Sequence, residues 1–219
     1  MKTTTALQVY HKLYKAYGPQ QWWPADSSFE MMIGAILTQS SSWNNVEKAI
    51  DNLKVAEMLD AELIAASEHA HLAEIIRPSG FFNQKAERLQ RFAQFYLQHG
   101  QTNGLKTWAL TKLRQALLAI NGIGPETADS MLLYGLEKPV FVVDAYSCRI
   151  FSRLGLVPEK IRYENLQLFF QQQLSTDLIL FQEYHALIVA HAKLHCRVKP
   201  LCENCPLLSS CKRAKDQMD

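Results

Sequence analysis

The chain has 219 residues, 48% of them hydrophobic and 20% charged, and its 23 basic against 21 acidic side chains leave a formal charge of only +2. That is enough apolar material for a sizeable globular core, and it excludes a polyelectrolyte whose overall field gathers nucleic acid, so such a partner has to be met by a local basic patch. No stretch approaches the roughly 18 uncharged apolar residues that cross a bilayer, and the opening MKTTTALQVYHKLYKAYGPQQWWP lacks a continuous apolar segment, so the expectation is a soluble cytoplasmic protein with no membrane partner.

Taken in chain order, apolar residues in FEMMIGAILTQSSSWNNVEKAI fall at Phe29, Met32, Ile33, Ile36, Leu37, Val46 and Ile50, spacings that run along one helical face. The same period recurs over residues 59–76, 85–97, 110–120, 129–136, 145–154 and 163–194. Breaks fall at RPSGFFN, where Pro78 and Gly80 end one helix before QKAERL begins another, and at GLVPEK around Pro158. Only PVFVV, residues 139–143, looks strand-like, and one short apolar run without a partner reads as an extended buried connector. The predicted fold is all-α, without internal repeats, low-complexity segments or a long linker.

Within INGIGPETADSMLLYG, residues 120–135, two helices meet across a very short turn. Glycines at Gly122 and Gly124 allow positive φ and close backbone approach, and Pro125 suits the first helical position, where its missing N–H costs no bond. The amides at such a helix start form a donor set for one phosphate oxygen, although the same pattern also serves an ordinary helical hairpin. Eighteen residues after Glu126, Asp144 follows the apolar connector and opens another helix. As an N-cap it accepts amide hydrogen bonds, and the helix start keeps its carboxylate ionised, which also lets it stabilise a cation.

Near the C-terminus HCRVKPLCENCPLLSSC sets Cys196, Cys202, Cys205 and Cys211 at C-x5-C-x2-C-x5-C, a crowding that favours ligation over disulfides. Four thiolates at this spacing suit tetrahedral zinc or an iron–sulfur cube equally. Lys193, Arg197, Lys199, Lys212, Arg213 and Lys215 surround them as a salt-dependent, sequence-blind grip on phosphodiesters. Arg149 and Arg153 either extend that patch or form a solvated helix face. His191 and His195, four apart, have no acid near them and are not read as a zinc pair, and Cys148 is expected to be a small buried hydrophobe.

Together, L-x-x-I-x-G-I-G-x-x-T-A-D, the V-x-V-V-D that follows it and the cysteine loop resemble the helix-hairpin-helix superfamily of DNA glycosylases, the endonuclease III group, over nearly the whole chain. FEMMIGAILTQSSSW resembles that family's early helix and strand-separating loop, and RPSGFFNQKAERL its mid-domain junction. Resemblance implies a six-helix domain over residues 28–138 carrying the hairpin at about 110–136, a second domain from residues 1–27 and 139–219 with a [4Fe-4S] loop at 196–211, and a flipped base entering the cleft between them. It makes Asp144 the catalytic carboxylate, Gly122, Ile123, Gly124, Glu126 and Thr127 the hairpin contacts to DNA, Gln39 and Ser40 the residues that fill the gap left by the base, and Arg197 and Lys199 further DNA contacts. Cys196, Cys202, Cys205 and Cys211 become cluster ligands, with zinc as the alternative.

Bifunctional members carry a Schiff-base lysine where this chain has Glu126, and a carboxylate forms no imine, so a monofunctional enzyme is expected. Trp23 and Trp43 match pocket aromatics of the 3-methyladenine branch, whereas Gly34 stands where the adenine-mismatch branch carries a catalytic glutamate; Trp22 reads as core. The resulting expectation is a monomeric, nucleoid-associated glycosylase of base excision repair that hydrolyses the N-glycosidic bond of an alkylated purine such as 3-methyladenine in double-stranded DNA. Two alternatives stay open: a glycosylase for oxidised pyrimidines or mismatched thymine or uracil, with or without lyase activity, and a non-catalytic DNA-binding module with a structural zinc loop.

Overall fold

The computed structural model describes residues 4–216, and among them there are helices and no strand. In chain order the α-helices are α1 (Ala6–Tyr17), α2 (Ser28–Leu37), α3 (Trp43–Val55), α4 (Ala61–Ala66), α5 (His69–Ile75), α6 (Phe82–Gln98), α7 (Gln101–Lys106), α8 (Leu110–Leu118), α9 (Pro125–Ser130), α10 (Ala145–Arg153), α11 (Tyr163–Gln173), α12 (Leu178–Leu194) and α13 (Lys212–Lys215). Two compact units result: one spans Trp23–Lys138, and the other joins the chain up to Trp22 with the chain from Pro139 onward.

Three of the long periodic runs are each two helices, and the polar residues inside the run explain each break. Over residues 29–50 the apolar face is interrupted by TQSSS, where the Thr38 hydroxyl donates back to the Gly34 carbonyl at 2.7 Å and Ser40 takes φ +51°. Over residues 59–76 Asp60 caps α4, while the Ser67 hydroxyl donates to the Ile64 carbonyl at 2.8 Å and stops it. Over residues 163–194 Asp177 accepts from the Leu180 amide at 2.6 Å and begins α12 afresh. At the RPSG junction α5 ends at Ile75, Arg77–Ser79 form a 3₁₀ turn, and α6 starts at Phe82.

In the Trp23–Lys138 unit α2 is the central helix: every residue from Phe29 to Leu37 is buried. It packs on α3, α6, α9 and the π-helical turn Met131–Gly135 that continues α9. Gly135 lies so close to α2 that a Cβ there would come within 2.9 Å of Met32 Cγ. Lys85 is fully buried, its ammonium donating to the Leu37 carbonyl at 2.8 Å and the Ser79 carbonyl at 2.7 Å. It thereby caps the end of α2 and the 3₁₀ turn together, giving two otherwise orphaned carbonyls a donor. Burial and the nearby Arg88 lower its pKa to about 8.

The other unit is built on a ring cluster. Phe141 stacks on Phe170 at 4.1 Å, Phe151 meets Phe170 edge-on at 4.6 Å, and Tyr184 closes the cluster while its hydroxyl donates to the Ala6 carbonyl at 2.6 Å. Each of these rings is worth about 1.5–3 kcal/mol of burial. PVFVV is the extended buried connector that its composition indicates, with Val140, Phe141, Val142 and Val143 all in the core. Gln167 accompanies it as a donor to the Phe141 carbonyl at 2.7 Å, replacing the ladder bond that an isolated strand lacks. Because this segment is gripped along its length, the residue that follows, Asp144, has a set position.

Candidate functional site

Helices α8 and α9 form a hairpin held by a buried ion pair: Arg114 donates to both oxygens of Asp129, at 2.7 and 3.0 Å, and the Asp129 side chain is 0% exposed. The turn between them differs from its simplest reading, because only Gly122 takes positive φ, at +93°, while Gly124 is an extended N-cap with φ −88°. At Gly122 a Cβ would lie 2.5 Å from Arg88 Nε; at Gly124 it would meet nothing within 4 Å. One glycine is needed by the fold, and the other leaves open space in front of a helix start that no side chain caps. Glu126 is exposed in the first turn of α9, whereas Thr127 and Ile123 are buried.

Gln39 is tied to that hairpin. Its amide nitrogen donates to the Gly122 carbonyl at 3.0 Å and the Thr127 hydroxyl at 2.9 Å, and its amide oxygen accepts from Arg88 at 2.5 Å. With both ends engaged, Gln39 anchors the 38–42 loop, and the next residue, Ser40, is the exposed one in left-handed backbone. Phe81 belongs to the same neighbourhood through the Lys85 clamp on Leu37 and Ser79: it is 64% exposed, with φ +47°. An aromatic held outward in that conformation is uncommon, and such strain concentrates at functional positions.

Trp23 and Trp43 meet edge to face, with ring centroids 5.4 Å apart, and Tyr134 lies 5.6 Å from Trp23 on another side. Trp23 and Trp43, with Pro24, Ala25, Gly34 and Ile50, line a cavity of about 90 Å³, to which Glu30, Glu47, Asp51 and Lys54 add charge. Gly34, the position that sets this chain apart from the adenine-mismatch pattern, sits against the Trp23 indole at 3.6 Å from the site of a Cβ.

In the other unit Asp144 is the N-cap of α10. Its Oδ1 accepts from the Ser147 amide at 2.7 Å and the Ser147 hydroxyl at 2.9 Å, and that hydroxyl also accepts from the Asp144 amide at 2.7 Å. Its other oxygen lies 3.8 Å from His185 Nε2, an electrostatic contact rather than a hydrogen bond at that length. Burial pushes the Asp144 carboxyl up, but His185 and the Ser147 donors outweigh it and hold the group below the ordinary 3.8. A desolvated, ionised carboxylate is thus kept ready.

Cys196, Cys202, Cys205 and Cys211 line one largely apolar cavity with His191, His195, Leu201, Leu207 and Leu208. Among the described residues no three His, Cys, Asp or Glu side chains close around a single-ion position. Burial, reinforced by the other three thiols, raises the Cys205 pKa. His191, buried and lowered to about 4 by desolvation and His195, pairs with the Tyr17 hydroxyl at 2.8 Å and lies 3.9 Å from Cys205 Sγ. Arg149 and Arg153 are tied to the cysteine loop: Arg149 donates to the Cys196 carbonyl at 2.8 Å, and Arg153 to the Arg197 and Val198 carbonyls at 2.6 and 2.9 Å. They spend their donors shaping the cysteine loop. Arg197 and Lys199 are exposed on it. Trp22 lies under the Lys193 ammonium, 5.7 Å from its ring centre, and is half-buried rather than core. Cys148 is half-exposed, its thiol 3.6 Å from the Glu159 carbonyl, because α10 turns its apolar face elsewhere.

The structure therefore collects Gln39, Ser40 and the hairpin residues in one place, Trp23 with Trp43 in a second, and the four cysteines in a third. Sequence reasoning missed His185, Arg88, Lys85 and Phe81. Only Glu47 carried a local signal, four residues after Trp43.

An all-helical chain carrying such a hairpin falls in the class of endonuclease III-like DNA repair glycosylases. Residues 33–175 match the model of the HhH-GPD superfamily base excision DNA repair protein, and the chain belongs to that family. It is 48% identical over 211 residues to the "Putative DNA repair glycosylase MJ1434" of Methanocaldococcus jannaschii, covering 93% of this chain and 96% of that one. The crystal structure of H. pylori 3-methyladenine DNA glycosylase (MagIII) bound to 1,N6-ethenoadenine matches with TM-score 0.76 and 31% identity, over 87% of this chain and 98% of that one. A trapped endonuclease III–DNA covalent intermediate shares the fold at TM-score 0.84 and 20% identity, over 99% of this chain and 100% of that one. Among the described residues no helix is long and apolar enough to cross a membrane.

Proposed function

We propose that the protein is a monofunctional glycosylase that removes an alkylated purine such as 3-methyladenine from double-stranded DNA. The observation that carries the reading is the Asp144 carboxylate, desolvated yet held ionised by Ser147 and His185. As the glycosidic bond lengthens, the sugar acquires positive charge; a fixed anion stabilises that state more than the neutral ground state and directs water to C1′. The base is first extruded, because C1′ is unreachable inside the stack. Its ring stacks on the Trp23 and Trp43 indoles, while Gly122–Gly124 amides hold a neighbouring phosphate and Ser40 and Phe81 support the opened duplex. An N-alkylated purine is cationic and already a good leaving group, so stacking and one carboxylate suffice.

Strand cleavage by imine chemistry needs an accessible lysine, and the residues speak against one. Glu126 occupies the matching hairpin position, Lys138 donates to the Lys106 carbonyl at 2.7 Å, and Lys85, although lowered to about 8, is fully buried with two carbonyl partners. The four thiols line one cavity, and we assign them to a [4Fe-4S] cluster, with zinc as the alternative. Cys196, Cys202, Cys205 and Cys211 would hold it, and it would supply a rigid core for the basic loop bearing Arg197 and Lys199 rather than any part of hydrolysis. We further propose that it acts as a nucleoid-associated monomer.

The test is a set of duplexes, each with one damaged base, incubated with the protein and divided into alkali-treated and untreated portions. Breaks after hot alkali alone, greatest for alkylated purines, are expected. Breaks in the untreated portion would overturn the monofunctional reading, and release confined to oxidised pyrimidines or mismatched thymine the substrate reading. Visible absorbance together with iron and zinc analysis distinguishes cluster from zinc.

A further inference from the structure

The cavity beside Trp23 and Trp43 is unusual in its charge. Four ionisable side chains line it, Glu30, Glu47, Asp51 and Lys54, three anionic and one cationic. The one cation is already matched: Lys54 lies 2.8 Å from Glu30 and 2.7 Å from Asp26. Glu30, itself only 7% exposed, has its second oxygen taken by the Asp26 amide at 3.2 Å. Glu47 and Asp51, successive turns of α3, have no cation to balance them on this wall. Glu47 is moreover attached to the aromatic wall, since the Trp43 indole N–H donates to its Oε1 at 2.7 Å. That bond joins the carboxylate to the edge of the Trp43 ring.

An indole-walled cavity of this sign is a poor place for a second anion and a good one for a flat cation, which gains both from the ring faces and from the carboxylates. A neutral purine gains only the stacking. We propose that the Glu47 carboxylate, seconded by Asp51, selects a positively charged base over a neutral one. The inference rests on the reading of this cavity as the base pocket and deepens it: Trp23 and Trp43 select for flatness, and Glu47 for charge. Nothing here requires Glu47 to take part in bond cleavage; it is a specificity-determining residue.

Glu47→Gln tests the idea, because glutamine keeps an oxygen for the Trp43 indole while removing the charge. Glu47 is exposed, so the variant should melt like the parent. Single-turnover excision is measured on two otherwise identical duplexes, one with 7-methylguanine, a cation, and one with hypoxanthine, which is neutral. The expected result is a several-fold fall in the cation-to-neutral rate ratio, the scale of one charge contact at a partly wet site. Asp51→Asn should lower the ratio less. A parent enzyme that removes 7-methylguanine, paired with a variant whose ratio is unmoved or whose two rates fall together, overturns the inference and leaves the proposed function standing. A parent that releases 3-methyladenine but not 7-methylguanine overturns the inference alone, and one that releases no alkylated purine from any duplex takes down both.

Discussion

Two helix starts in this molecule solve the same electrostatic problem in opposite ways. At α9 the N-cap is Gly124, which supplies no side-chain cap, and the space in front of it is open. At α10 the N-cap is Asp144, whose carboxylate fills the same positive end and is fixed there as its Oδ1 accepts from both the amide and the hydroxyl of Ser147. An unfilled helix start can receive an anion from outside; a filled one carries its own anion into the site and keeps it charged. The first suits grip on a phosphate, and the second suits stabilisation of a cationic sugar.

The largest test of that contrast is Asp144→Asn. Asparagine caps a helix as well as aspartate, so the melting temperature should hold within what about 1 kcal/mol allows. Excision of the best lesion should nonetheless fall about a hundredfold or more in single-turnover assays, since only the charge is lost. Full activity in this variant would reduce Asp144 to an ordinary cap. The companion change is His185→Leu. Because the Asp144 carboxyl lies below 3.8, its contribution to stability is present above that value and is lost as pH falls through the folded value; excision should follow the same acid limb. Without His185, burial dominates and the limb should move toward neutral pH. A pH–rate profile that stays in place would show that Ser147 alone holds the carboxylate ionised.

The difference between the two starts was only partly legible in the sequence, for a physical reason. Pro125, Gly122 and the capping residue Asp144 act within a few positions of themselves, so turn chemistry exposes them. The all-α fold followed from periodicity for the same reason, while TQSSS and the Asp177 cap broke runs that the period alone would have continued. His185 lies a whole helix away from Asp144, and Arg88 reaches Gln39 only after α6 has packed on α2; nothing local marks either contact. Arg149 and Arg153 were visible only as a charged spacing, because sequence does not say that carbonyls of the cysteine loop will come to meet them. Gly124 was visible as a glycine, but its extended φ was not.

That φ separates the hairpin's two glycines experimentally. Gly122→Ala forces a Cβ against Arg88 and a strained +93°, and should cost about 1–3 kcal/mol in melting together with DNA affinity. Such a loss proves only that the turn must exist.

Gly124→Ala is the smaller and sharper test. At φ −88° and with nothing within 4 Å, alanine fits, so stability should stay within about 0.5 kcal/mol of the parent. The added methyl would stand in front of the amides of α9, where a phosphate oxygen has to approach. Affinity should therefore drop several-fold, by equal factors for damaged and undamaged duplexes, because a phosphate contact reads no sequence and no lesion. Measured by fluorescence anisotropy at fixed salt, a loss confined to damaged DNA would place Gly124 at the base instead. Unchanged affinity for both would mean that the open helix start receives nothing, and the contrast with the filled one would be a matter of capping alone.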